Sequence, residues 1–470
     1  MKLIENNISD EDIGKLIKDG SSGWIGTETY ELLVYKYIMD FHKNDCIPII
    51  NTSNNKKELL VLWIMDDSFK NMTKKIINDK TYNFVDIKWF WNPEDKWIDK
   101  KENTNNNYGE IKKTFDSLKQ CSKRFVPLYV RLDFSNISHA NMIILDLKKK
   151  TAEHFEPHGF RLDVNLENDD YYKIYINDVL RIQLPLLFKD LGFEYIAPIK
   201  TCPSEGLQAM QTQYANMNLY SIFKDEYGLL YSKNNGLCVL FSFILLDLRL
   251  SNEKYTTHQI MNRLLNIKNR KNIFLSHKNN DIYNKIYNIS EKNYKNNTGG
   301  LIYIYSLIFI EKVYKKNIPL FMKFLQEFET KYKMKGLVKY IETQNINPFK
   351  MLNSYTNYNI KIELNNVDNP LDIYGFDLVN YMMKKIETTI FNELLNMSSI
   401  KLVKNNNKYI DETYIIDKKI LKLEEELEKE KEYDYIYNIK NDLTDNSMIS
   451  ISTILKNLVI LSVMSYSVYI

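Results

Sequence analysis

The stretch HANMIILDLKKKTAEHFE, from His139 to Glu156, reads as two strands joined by a tight lysine-rich turn. His139–Leu147 is strongly apolar, Lys148–Lys149 with their neighbours make the turn, and Lys150–Pro157 returns as a second strand. Adjacent antiparallel strands set such positions side by side, so His139 at the start of one and Glu156 at the end of the next come within reach. A carboxylate there accepts the imidazole N–H, fixes its tautomer and favours its charged form.

Working outward, Arg124–Phe134 alternates as a strand, Tyr171–Phe188 has helical spacing and Phe193–Ala197 reads as a short strand. Leu237–Leu250 is apolar on nearly every face, the pattern of a helix buried on all sides. It follows Asn234, Asn235 and Gly236, which suit a cap and a turn, and it places Cys238 in its first turn. A cysteine nucleophile acts as thiolate, and the partial positive charge of a helix N-terminus, with a nearby imidazolium, lowers the cost of that charge. The chain thus offers a base, an orienting acid and a nucleophile in the order His139, Glu156, Cys238. Each residue type alone reads as ordinary structure: a buried or surface histidine, a turn carboxylate, a small apolar thiol.

Further upstream, Trp24–Lys43 carries Leu32, Leu33, Tyr35, Tyr37, Ile38 and Phe41 at helical spacing, with Thr27 as a cap. Glu58–Met65 is a short apolar run, followed by a stretch to Asp79 that is compatible with a helix. The polar patches Asn51–Lys57, Lys100–Asn107, Asn293–Asn297 and Lys404–Lys408 read as loops. From Gly299 onward the pattern is mostly helical, with helices expected over Ile302–Lys312 and Pro319–Tyr332 and a solvated helix over Lys418–Tyr433.

Composition bounds the function. The chain has 470 residues, 44% hydrophobic and 13% aromatic, enough for a sizeable core. Net charge is +3, so no basic field points to nucleic acid. The abundance of Lys, Asn, Ile and Tyr follows AT-rich codons. Four cysteines without a CxxC pair argue against a zinc site, and their low density suits a reducing compartment. The opening MKLIENNISDED is polar and acidic, unlike a secretory leader. Within residues 447–470 only Lys456 is charged, and the uncharged run Leu458–Ile470 is shorter than the roughly 20 residues a bilayer span needs. A packed element is expected there, with a tail anchor as the alternative.

The His139-to-Glu156 segment resembles that of the ubiquitin-like-protein proteases, in which an acid follows the His by 17 positions, as here. Asp146 matches the family's turn Asp, and Glu rather than Asp as the acid is similar to the adenovirus protease. Trp24-Ile-Gly-Thr with the following helix, and Asn235-Gly236-Leu237-Cys238, resemble the family's opening segment and its turn into the nucleophile helix. The wording around Phe155–Gly159, Cys202–Gln208 and Cys238–Asn252 looks like protease-like proteins of large eukaryotic DNA viruses. The resemblance covers about Gly20 to Asn266. It implies an α+β, papain-like core of the SUMO-protease type over residues 15–268, with a mostly helical accessory domain over 269–470. It implies thiol-dependent cleavage of peptide or isopeptide bonds by His139, Glu156 and Cys238, with no cofactor and no metal. The protein partner would be a viral structural protein or a ubiquitin-like conjugate, in host cytoplasm or virion and not secreted. The family's oxyanion Gln, six positions before the Cys, is Ser232 here, so Asn234, Asn235 or Gln208 is the candidate amide donor. Ala140 stands where the SUMO proteases carry a Trp after the His. A catalytically inactive, protein-binding relative is the alternative reading, and a thiol acyltransferase is another.

Three further features were weighed. His154 and His158 are four apart but lie at a strand end and a proline turn, so a shared metal is not expected. Cys202-Pro203 is read as a structured loop. Trp89, Phe90, Trp91 and Trp97 are read as core packing.

Overall fold

The computed structural model describes residues 28–51, 56–77, 79–94, 96–97, 104–134, 137–159, 170–202, 206–207, 238–265, 298–333, 336–343 and 370–400. Its strands are β1 (Ile49–Asn51), β2 (Lys57–Met65), β3 (Thr73–Ile77), β4 (Lys80–Phe84), β5 (Lys88–Asn92), β6 (Lys96–Trp97), β7 (Phe125–Phe134), β8 (Ile137–Asp146), β9 (Thr151–Phe155) and β10 (Glu194–Ile196). Among the described residues the helices before Cys238 are α1 (Glu28–Phe41), α2 (Asp66–Lys70), α3 (Thr104–Leu118), α4 (Asp170–Ile174), α5 (Leu184–Asp190) and α6 (Pro198–Thr201). Those after it begin with α7 (Cys238–Ser251), then α8 (Thr257–Leu265), α9 (Thr298–Lys331), α10 (Leu337–Thr343) and α11 (Pro370–Met397). A π-helical segment, Tyr175–Gln183, links α4 to α5. The class is α+β.

One sheet runs β10-β9-β8-β7-β2-β5-β6, with β1 paired to β2 off that path. The β2–β7 and β9–β10 pairs are parallel, and the others are antiparallel. Both faces of the sheet are covered. Alternation along a strand sends successive side chains to opposite faces, and here it sorts them into two cores. Leu59, Val61, Phe125, Tyr129, Ala140, Met142 and Ile144 join one cluster with α1, α7, α9 and α11. Leu60, Leu62, Ile64, Val126, Leu128, Val130, Ile143 and Leu145 join the other, with α3 and the Tyr175–Phe188 helical run. Each fully buried side chain of this size contributes about 1.5–3 kcal/mol, so the double-sided packing is what makes the sheet rigid.

The hairpin expected from His139 to Glu156 forms, with Met142 opposite Phe155 and Asp146 opposite Thr151. Asp146 closes its turn by accepting the backbone N–H groups of Lys148 and Lys149, both at 3.1 Å. Lys150 takes φ 58°, a left-handed conformation that completes the reversal.

Several elements differ from the sequence reading. The stretch after Met65 is not one helix but the single turn α2 followed by the β3–β4 hairpin. Helix α3 starts inside the polar patch Lys100–Asn107, because Ile111, Phe115 and Leu118 bury one face and outweigh the poor helix formers at its start. Helix α9 runs through Pro319, where a break was expected. Cys46 and Cys121 form a disulfide, where low cysteine density had suggested free thiols. They lie 75 residues apart and meet only because the ends of α1 and α3 converge on the start of β7, where Asn44 donates to the Phe125 carbonyl.

By compactness the chain parts into Met1–Lys75 with Tyr82–Tyr409, and Ile76–Thr81 with Ile410–Ile470. Among the described residues the second unit holds only the tip of the β3–β4 hairpin. The expected boundary at 268–269 lies outside the described residues; Phe321 and Phe324 of α9 and Met382 and Ile386 of α11 share a cluster with Leu33 of α1 and Leu240 of α7. A buried bond from Thr29 Oγ1 to Glu387 Oε1, 2.7 Å, ties α1 to α11. Among the described residues no helix is long and apolar enough to cross a membrane. The segments Lys418–Tyr433 and 447–470 lie outside the described residues.

Candidate active site

Cys238 opens α7, and every residue from Cys238 to Leu250 is buried. The all-round apolar pattern explains this only in part, since the helix also buries Ser242, Asp247 and Arg249, each with a partner. Ser242, one turn after Cys238, donates to the Ala140 carbonyl at 3.1 Å, which pins the start of α7 beside His139. Asp247 meets His42 at 2.7 Å, fastening the helix to the end of α1. Arg249 forks onto both Glu153 oxygens at 3.0 and 3.1 Å, and Glu153 also accepts from the backbone N–H and hydroxyl of Thr257. Helix α7 is therefore held at both ends by polar contacts within an apolar core.

His139 lies near the start of β8 with its ring Nε2 against Glu156 Oε1. Cys238 lies close enough to the same imidazole to act on its charge. Burial disfavours the imidazolium, but the Glu156 charge, then the Cys238 sulfur, outweigh it and raise His139 to about 10. Burial likewise opposes the Glu156 carboxylate, yet the His139 charge and hydrogen bond hold it down at about 2. The pair holds a proton on the imidazole, with the Glu156 carboxylate stabilising its charge.

Glu156 is fixed from several sides. The backbone N–H of His158 donates to its Oε1 at 3.0 Å, and Asn141 Nδ2 donates to Oε2 at 2.8 Å. Its own N–H donates to the Cys202 sulfur at 3.2 Å. Burial pushes that thiol up to about 12, so Cys202 is a structural acceptor. The His158 ring lies tilted against His139 with centroids 4.6 Å apart, and burial, with the His139 charge, lowers it to about 4. His154 is fully buried on β9, bonded to Tyr195 and Asn141, so it and His158 form no metal pair. Trp89, Phe90 and Trp91 are core residues; the Trp97 side chain lies outside the described set.

His139, Glu156 and Cys238 are thus brought together. Asn234, Asn235 and Gln208 lie outside the described residues. Asn141 and Ser242 were not singled out in the sequence. Asn141 had a signal available, since it sits two residues after His139 and shares its strand face; Ser242, one turn after Cys238, had none beyond helical spacing.

No family model matches this chain. No solved structure matches it. A curated protein of Acanthamoeba polyphaga mimivirus, described as an ankyrin repeat protein, is 24% identical over 152 residues, covering 30% of this chain and 18% of that protein. The chain therefore spans less than a fifth of the length of the relative it matches. These findings overturn the resemblance to the ubiquitin-like-protein proteases: the relative found is a viral repeat protein, and no protease family is among the matches. The physical reason is that the 17-position interval is what two strands and a four-residue turn produce whenever a residue near the start of one faces the end of the next. Such spacing is shared by unrelated hairpins.

Proposed function

We propose that the chain is a thiol-dependent acyl hydrolase that cleaves peptide or isopeptide bonds in protein substrates. The observation that carries this reading is the His139 imidazole held between the Glu156 carboxylate and the Cys238 sulfur at the start of a buried helix. In the proposed reaction His139 is the imidazolium partner of the Cys238 thiolate, which attacks the substrate carbonyl. The tetrahedral oxygen is stabilised by the backbone N–H of Cys238 at the helix N-terminus. The C–N bond then breaks as His139 returns the proton to the leaving amine. Water, giving its proton to His139, hydrolyses the thioester, and the thiolate–imidazolium pair is regenerated. A helix led by Cys238 and packed on a mixed sheet that carries His139 and Glu156 fits a papain-like core. The mimivirus relative's name describes ankyrin repeats, and repeat arrays present surfaces that bind proteins; this is compatible with a protein substrate.

The test is labelling of full-length wild type, Cys238→Ala and His139→Ala with a small alkylator and with an electrophilic ubiquitin-tail probe, from about pH 5 to 9, a range bracketing the model thiol near 8.5. Selective modification of Cys238 that is lost in His139→Ala supports the reading. Reaction with the ubiquitin probe then points to deconjugation, and reaction with the alkylator alone points to processing of another protein. A Cys238 that reacts no faster than Cys202 removes catalysis and leaves a protein-binding module.

A further inference from the structure

We propose that Asn141 is a positioning residue for this site, the centre of a buried relay that holds the Glu156 carboxylate in register with His139. The inference rests on the thiol reading above and goes beyond it by naming what fixes the acid.

Asn141 is fully buried. The hairpin register places it abreast of Glu156, since Met142 pairs with Phe155. Its Nδ2 lies 2.8 Å from Glu156 Oε2, 3.1 Å from the Tyr175 hydroxyl and 3.1 Å from His154 Nε2. The other oxygen of Glu156 is taken by His139 and the His158 N–H, so Asn141 is what immobilises the second. The amide orientation follows from this contact, because turning it would set Oδ1 against a carboxylate oxygen. Asn141 Oδ1 has no partner, so nothing on that side compensates for loss of the Nδ2 contacts.

The relay continues. His154 Nδ1 lies 2.6 Å from the Tyr195 hydroxyl. Burial lowers His154 to about 4, so its ring is neutral: Nδ1–H donates to Tyr195 while Nε2 accepts from Asn141. The tautomer is set by Asn141 Nδ2, which can only donate. The titratable groups facing Glu156 are His139 on β8, His154 on β9, His158 in the turn, Tyr175 in the π-helical segment, Tyr195 on β10 and Cys202 after α6. Cys238 of α7 is reached through His139.

The experiment is the pH profile of Cys238 alkylation in the full chain for wild type, Asn141→Asp, Asn141→Ala and Tyr175→Phe. Asn141→Asp puts a second carboxylate against Glu156; the two share a proton, and the hold on the imidazolium weakens. The acid limb of the profile should move up by about one pH unit or more. Asn141→Ala leaves Glu156 Oε2 without a donor, and the neutral-pH rate should fall about tenfold with a smaller upward shift. Tyr175→Phe, which touches Asn141 but not Glu156, should keep the wild-type limb. A residue that merely fills space would slow labelling without moving the limb. An unmoved limb in Asn141→Asp overturns the inference; if that variant does not fold, an unmoved limb in Asn141→Ala does so. Failure of wild type to label selectively at Cys238 would instead sink the thiol reading itself.

Discussion

Replacing Arg249 with Met should destabilise the protein by about 3–5 kcal/mol, the usual cost of breaking a buried ion pair from one side. Arg249 is 0% exposed and Glu153 is 3% exposed, so neither charge can turn to water. In Arg249→Met, Glu153 keeps only the N–H and hydroxyl of Thr257, at 2.9 and 2.6 Å, for a full buried charge. Glu153→Met should cost at least as much, because Arg249 is then left with Asp146 at 3.7 Å and α8 loses the anion at its first residue, worth about 1 kcal/mol more. The double variant removes both charges. Asp146 remains paired through the Arg124 fork at 2.6 and 2.9 Å, so only the helix-capping loss of roughly 1–2 kcal/mol should persist. Urea denaturation followed by tryptophan fluorescence measures all three. At about 1 °C per kcal/mol for a chain of this length, each single variant should melt roughly 3–5 °C low. The reasoning is refuted if Arg249→Met costs less than about 1 kcal/mol, or if the double variant costs the sum of the singles.

Three further outcomes follow from the same structure. His154 and His158, both near 4 when folded against 6.5 as model values, take up protons on unfolding below about pH 6.5, so acid costs stability down to about pH 4. His139, raised to about 10, instead contributes stability below about 6.5 that is lost as pH rises toward 10, so denaturation midpoints should peak near pH 6–7, with His139→Gln flattening the alkaline side. A Cβ at Gly206 would collide with the backbone of Pro157, His158 and Gly159, so Gly206→Ala should displace the turn that carries Glu156 and slow Cys238 labelling more than it lowers the melting temperature. Cys46→Ser opens a 75-residue loop and should lower stability by about 4 kcal/mol in non-reducing denaturation, with wild type in reductant behaving alike.

The local elements near the site were legible because their signals are local. The hairpin from His139 to Glu156 announces itself by two apolar runs around a lysine turn, and α7 by an unbroken apolar stretch behind a Gly turn. Helix α3 was missed because its polar start obscured a buried face that shows only three side chains, Ile111, Phe115 and Leu118. The family reading failed for a related reason: strand length and turn length set the His-to-acid interval, and many hairpins share both.

By itself the sequence determined a two-strand hairpin with His139 and Glu156 at matching ends, and a buried helix led by Cys238, since hydrophobic periodicity and turn chemistry act over neighbouring residues. Only the tertiary structure decided that these ends meet the helix start, that Asn141, His154 and Tyr195 stand behind the acid, and that Arg249 finds Glu153 in the core. Those contacts join residues up to about a hundred positions apart, and what selects them is the cost of leaving a buried polar group unpaired, a quantity defined only once the chain has packed.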